Sequence, residues 1–284
     1  MRIQTALLLA LLLLICAPAQ ADEEKFSFHE SLKPGDVIAG ELTIDDHEDV
    51  TTTQDGKSDV DSSATRKEWK FEETVLAAKD GSSIKNRVKI ADGSTDAMRE
   101  TANADEIVTP CPFIHEDVII VGHEDEAVTD DFSGKAGPDD IEDIHDVLNP
   151  DQDFFPEKPV FVGESWDPSD KVAKHAGLEK GDTCKVDCRL DWVKELDGRK
   201  MAQITGSAEI VQHESGRVEQ ATDEQITLLV DLTEGMIVKC DETAKVKYTT
   251  PADEPVRETG TSQTTYHITA KKKTPQANAP NEKP

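Results

Sequence analysis

Cys184-Lys185-Val186-Asp187-Cys188-Arg189-Leu190-Asp191-Trp192-Val193 alternates without a break. Cys184, Val186, Cys188, Leu190 and Trp192 point one way, and Lys185, Asp187, Arg189 and Asp191 the other. A period of two marks a β-strand with one dry and one wet face. Asp197-Gly198 follows, a dipeptide suited to a two-residue hairpin turn. Beyond it Ala202, Ile204, Gly206, Ala208 and Ile210 keep the same parity, so the stretch reads as two arms of one hairpin.

The grammar continues in both directions. Downstream, Ile226, Leu228, Val230 and Leu232 form a strand that Glu234-Gly235 turns. Met236, Val238, Cys240, Ala244, Val246 and Tyr248 share one parity, and Thr264, Tyr266, Ile268 and Ala270 make a last strand. Upstream, Ile38, Gly40, Leu42 and Ile44 alternate, as do Trp69, Phe71, Val75 and Ala77, with Glu73 breaking that face. Asp80-Gly81 turns into a run ending at Val88 and Ile90, and Val118–Val121 is a short apolar strand. Strands joined by short turns pair antiparallel. The expected fold is mainly β, a strongly bent antiparallel sheet or half-barrel with one or two short helices. The first helix is Asp139–Leu148, after Gly137-Pro138 and before Pro150; the second is Ser94–Ala104. Residues 46–66 are polar and read as a hairpin tip or loop.

Residues 1–21 carry Arg2, an apolar run and Ala19-Gln20-Ala21, the pattern of a cleaved secretory signal peptide. The expected location is extracytoplasmic, periplasmic or secreted. A single domain then occupies 22–270, followed by a disordered tail, 271–284. Leu32-Lys33-Pro34-Gly35-Asp36 is echoed by Leu178-Glu179-Lys180-Gly181-Asp182. The echo divides the domain into halves, 30–135 and 159–270, joined by an acidic helix and linker, 136–158.

The chain has 284 residues and 59 acidic against 31 basic side chains, a formal charge of −28. Such a field repels phosphate, which excludes nucleic acid held through backbone neutralisation. Beyond the signal peptide no apolar run approaches membrane-spanning length. Cys111, Cys184, Cys188 and Cys240 remain after Cys16 is removed, and an even number in an exported chain favours disulfides. Cys184 and Cys188 lie about 13 Å apart along a strand, too far to bond each other or share a metal. They are expected to pair with Cys111 and Cys240, in either connectivity; buried thiols are the alternative.

Between the two halves lies Pro159-Val160-Phe161-Val162-Gly163-Glu164-Ser165-Trp166, extended, turning at Gly163 and anchored by Trp166. Trp166 is expected to be buried and structural. The segment resembles the hallmark of an uncharacterised family of secreted bacterial proteins of planctomycete type: Pro, Val, any residue, Val, Gly, Asp or Glu, Ser, Trp. Leu32–Asp36, Val75–Gly81, Asp197-Gly198 and Asp231–Gly235 also look like that family. The resemblance implies a fold similar to LolA-like lipoprotein carriers, a bent sheet around a helix, and it implies no catalytic residue.

Chemistry-bearing patterns are sparse. Gly163-Glu164-Ser165 lacks the second glycine of a nucleophile elbow. Asn149–Asp153 begins like a calcium loop, but Phe154 stands where its glycine belongs. Residues 123–158 hold 13 acids and 2 lysines, leaving only a loose Ca²⁺ site or a solvated acidic face. No cofactor is expected. Three functions fit: a non-enzymatic structural or interaction module of the envelope, a carrier of a hydrophobic ligand or lipidated segment, and a secreted hydrolase.

Overall fold

The computed structural model describes residues 24–79, 82–101, 103–114, 117–123, 126–129, 152–214, 218–250 and 256–273. The stretches expected to form a signal sequence and an Asp139–Leu148 helix, most of the acidic stretch and the end of the expected tail lie outside them.

The strands are β1 (Val37–Gln54), β2 (Lys57–Lys79), β3 (Ser82–Ile90), β4 (Thr95–Arg99), β5 (Ile107–Pro110), β6 (Asp117–His123), β7 (Glu126–Thr129), β8 (Ser165–Trp166), β9 (Thr183–Leu196), β10 (Arg199–Glu214), β11 (Val218–Asp231), β12 (Met236–Thr249) and β13 (Val256–Lys272). They form one antiparallel sheet in the order β7-β6-β3-β2-β1-β13-β12-β11-β10-β9-β8, with β4 on β2 and β5 on β4. The sheet does not close into a barrel. A 3₁₀ turn (Gln152–Phe154) and one α-helix, α1 (Ser169–His175), are its other described elements.

The hairpins form where their turn residues direct. Asp55-Gly56 and Asp197-Gly198 both have positive φ at both positions, as tight hairpin turns require. The first turn makes residues 46–66 two long paired strands, from Asp46↔Thr65 outward to Gln54↔Lys57. Polar residues sustain strands here because the backbone ladder extends beyond the core. The Leu32–Asp36 and Leu178–Asp182 echo is a shared local structure. In each, the aspartate Oδ2 accepts from the backbone N–H three residues earlier at 2.8 Å, and its own N–H returns to that residue's carbonyl.

The sheet buries one face. Across it, side chains at paired positions lie together: Trp69, Leu42, Ile268, Cys240, Leu228, Ile204 and Leu190 follow one row from β2 to β9. All are almost fully buried. Phe26, Phe28, Phe154, Phe155, Val160 and Val172 belong to the same core and supply its covering layer. Gly206 makes room for this layer: a Cβ there would meet Ile226, the Cys188 sulfur and the Phe154 ring, at 2.8, 3.2 and 3.3 Å. The N-terminal segment is tied down where Phe26 and Val160 exchange backbone hydrogen bonds. It is held again where Ser31 donates to the Glu234 carbonyl beside Gly235.

Four expectations are corrected. Ser94–Ala104 is not a helix: Thr95–Arg99 is strand β4. Ser94 is buried, its hydroxyl bonded to the Ala91 carbonyl and to the Lys70 N–H, which locks the entry to that strand. None of Cys111, Cys184, Cys188 and Cys240 is disulfide-bonded. Sheet order explains this for Cys188 and Cys240, which stand on β9 and β12. Three strand spacings, about 14 Å, separate them, far beyond disulfide reach. Trp166 is half-buried rather than buried, packing at the core's margin while its Nε1 donates to the Phe154 carbonyl at 2.9 Å. Lys271 and Lys272, expected in the tail, end β13, and the Lys272 ammonium reaches Asp36 and Glu234 at 2.9 and 3.0 Å.

Candidate functional site

The residues singled out in the sequence have structural places. Gly163 has φ 90° and its N–H donates to the Leu190 carbonyl at 2.7 Å. With the Leu190 N–H bonding back to the Glu164 carbonyl, this turn caps the outer edge of β9. The Ser169 hydroxyl accepts from the Val186 N–H farther along the same edge, so the sheet presents little free ladder there. Cys188 is buried, and desolvation pushes its thiol up to about 12. Burial also raises the Cys184 thiol. A raised thiol pKa leaves little thiolate, so neither is set up as a nucleophile. Among the described residues no group of His, Cys, Asp or Glu could hold a metal ion.

The buried face divides into two regions. At one end lies the covered core. Toward the hairpin tips the same face continues through Ile44, Tyr266 and Glu242, then Asp46, Thr264, Ala244 and Glu224, then Glu48, Ser262, Val246, Thr222 and Ile210. Each of these positions is only partly buried. Beyond β2 the rows run onto β4 and β5, where Met98 opposite Thr65 and Ile107 opposite Met98 are 49% and 57% exposed. The result is a surface that mixes apolar side chains, hydroxyls and carboxylates.

Its charges are mostly acidic, with Lys57 and Lys67 as basic members. Glu224 and Glu242 are neighbours on β11 and β12, Glu242 opposite Ile226 and Glu224 opposite Ala244. Burial, aided by the Glu242 charge, pushes the Glu224 carboxyl up to about 7. Asp46 accepts from the Thr264 hydroxyl at 2.8 Å and Glu48 from the Tyr248 hydroxyl at 3.2 Å. The opposite face is laced with ion pairs: Arg66 with Asp45 and Glu68, Lys185 with Asp187, Arg189 with Asp191, and Lys239 with Asp241, whose carboxylate also meets the His267 ring. A shallow groove of about 310 Å³ on that face is lined by Asp45, His47, Arg66, Arg99 and Glu106 among others, and its charges are largely matched.

Sequence reading passed over Glu224, Glu242 and Ile107, and placed Met98 on the expected Ser94–Ala104 helix. Parity could have found the first two, since Glu224 falls in step with Ile226 and Leu228, and Glu242 with Cys240 and Ala244. Met98 and Ile107 sit on short strands whose pairing no local pattern announces.

No known family matches this chain, and no curated protein does. Among solved structures it is similar to lipovitellin, from a study of lipid–protein interactions, with 7% identity over 88% of this chain and a TM-score of 0.42. The chain spans about a quarter of that protein's length, 27%. It is also similar to a DUF1329 family protein from Desulfovibrio piger, with 10% identity over 86% of this chain and 89% of that one, TM-score 0.13. A third is a loop-deletion mutant of OmpT, an outer membrane protein of Vibrio cholerae, with 6% identity over 82% of this chain and all of that one, TM-score 0.14. With every score under one half, the site is read from its own residues.

Proposed function

We propose that this chain is a non-enzymatic binding module of the extracytoplasmic space, and that the half-covered end of the sheet's inner face is its binding surface. The observation that supports this reading is the division of that face. Phe26, Phe28, Phe154, Phe155 and Val172 fill one end, while Ile44, Ala244, Val246, Ile210, Met98 and Ile107 keep partial or full exposure at the other. A dry face continuing uncovered into solvent costs free energy in proportion to its apolar area, and a ligand or partner recovers it. The carrier-like resemblance of Pro159–Trp166 belongs to the same reading.

Titration of an environment-sensitive apolar dye into the full chain tests the proposal. Saturable, stoichiometric binding is expected, weakened in a Met98→Glu/Ile107→Glu double variant. Linear, non-saturating fluorescence in the wild type would overturn it.

A further inference from the structure

We propose that the occupant of this surface is a cationic, amphipathic polypeptide segment lying across the strands, an inference that rests on the binding-module reading above. Two features of the surface select that chemistry: its sign and its length.

The sign comes from comparing the two faces of one sheet. On the wet face, acids and bases alternate along single strands and neutralise each other two residues apart, as Lys185 and Asp187 do on β9 and Lys239 and Asp241 on β12. On the inner face beyond the core, the register places seven carboxylates, Asp46, Glu48, Asp59, Asp61, Glu224, Glu242 and Glu258, with two ammonium groups, Lys57 and Lys67. Two acids, Glu224 and Glu242, stand among apolar neighbours, where desolvation makes a like-charged pair costly. A cation approaching them relieves that repulsion in a setting where charge interactions are stronger than in water. The whole chain, at −28, adds long-range attraction for a basic partner and opposes a second copy of itself.

The length comes from the sheet. Asp46 and Glu224 lie in one row on β1 and β11, with β13 and β12 between them, so about 14 Å separates their backbones. One ammonium headgroup cannot serve both. From Ile107 on β5 to Ile210 on β10 the face crosses seven strand spacings, about 34 Å along the sheet. A polypeptide segment of about ten extended residues spans that distance with several basic groups. A lipid with one charged headgroup offers only one. The apolar side chains of such a segment meet Met98, Ile107, Ile44, Val246 and Ile210, and its basic ones meet the carboxylates between.

Fluorescence anisotropy with the full chain and labelled synthetic peptides tests this. The probes are a ten-residue alternating lysine–leucine peptide, its glutamate–leucine and lysine–serine counterparts, and dodecylamine as competitor. The lysine–leucine peptide is expected to bind saturably and the other two peptides to fail. A Glu224→Gln/Glu242→Gln variant, which removes a repulsion and so keeps its fold, is expected to weaken binding by about tenfold. A Glu209→Gln/Asp223→Asn variant on the wet face, with the same change in net charge, is expected to leave it unchanged. Equal weakening by both variants, equal binding of the lysine–serine peptide, or displacement of the peptide by one equivalent of dodecylamine would overturn the inference. Apolar dye binding without peptide binding would sink this inference and leave the binding-module reading standing. Loss of both would remove both.

Discussion

Glu73 interrupts an otherwise apolar strand face, and the structure keeps it inside, 4% exposed among Ile38, Val75 and Val88. Burial first, and the Glu30 carboxylate second, push its carboxyl from 4.5 up to about 8. The folded state therefore holds a proton that the unfolded chain releases near 4.5. The stability this contributes is full below pH 4.5 and is lost as pH rises toward 8. Across that window Glu73 is expected to account for a loss of about 3–5 kcal/mol, so Glu73→Gln should decline much less steeply than the wild type, keeping the part due to Glu224, which burial raises to about 7. Urea midpoints measured from pH 5 to 8 check this; parallel curves for the two proteins would refute it. Gly40 carries a second residue-scale prediction. A Cβ there would lie 2.3 Å from the Phe71 ring and 2.6 Å from the Thr269 carbonyl oxygen. Gly40→Ala is expected to destabilise by about 1–3 kcal/mol, with partial rescue by Phe71→Leu, read from the same denaturation curves.

The joins between elements depend on few side-chain contacts. Strand β9 would be an open edge but for the turn Phe161–Glu164, the two residues of β8 and the Ser169 hydroxyl at the start of α1. Ser169→Ala leaves the Val186 N–H without that acceptor and is expected to cost about 1–2 kcal/mol. Hydrogen exchange at Val186 should accelerate in that variant while the Leu190 amide, bonded to Glu164, stays protected. Trp166 ties the same linker to Phe154 through its indole N–H. Because it is only half-buried, Trp166→Ala is expected to cost about 2–3 kcal/mol, less than a core tryptophan would. A melting temperature equal to wild type would show that the linker is held without it.

The sheet as a whole decides the fate of the cysteines. The strand reading of Cys184 and Cys188 stands, and no bond joins them, but their expected partners lie elsewhere in the sheet or under it. Burial keeps Cys111, Cys188 and Cys240 from reagents. Non-reducing peptide mapping is expected to find no cross-link among Cys111, Cys184, Cys188 and Cys240. Maleimide is expected to label Cys184 first and Cys188 only after unfolding, since a thiol at about 12 holds almost no thiolate at neutral pH.

How much was legible in the sequence follows from the range of each interaction. Alternation and turn dipeptides act within a few residues, so the strands around Cys184–Val193, Ile226–Leu232 and Thr264–Ala270 and the Asp197-Gly198 hairpin were readable directly. Residues 46–66 were readable only as a hairpin tip or loop; the length of the paired arms was not, because their ladder needs only backbone groups and leaves no apolar trace. Strand β4 was missed for a related reason: its five residues are held by pairing with β2 and by Ser94, contacts distant in sequence. The site was hidden more deeply. Glu224 and Glu242 share the parity of core residues, but only the register of β11 against β12 makes them neighbours and only burial raises Glu224. Sequence alone determined that the chain makes antiparallel strands with one dry face, because periodicity is a local property of the polypeptide. Tertiary structure alone decided which strands adjoin, how far apart the cysteines stand and where the dry face is left half-covered, because those depend on pairing between residues more than two hundred positions apart, as on β1 and β13.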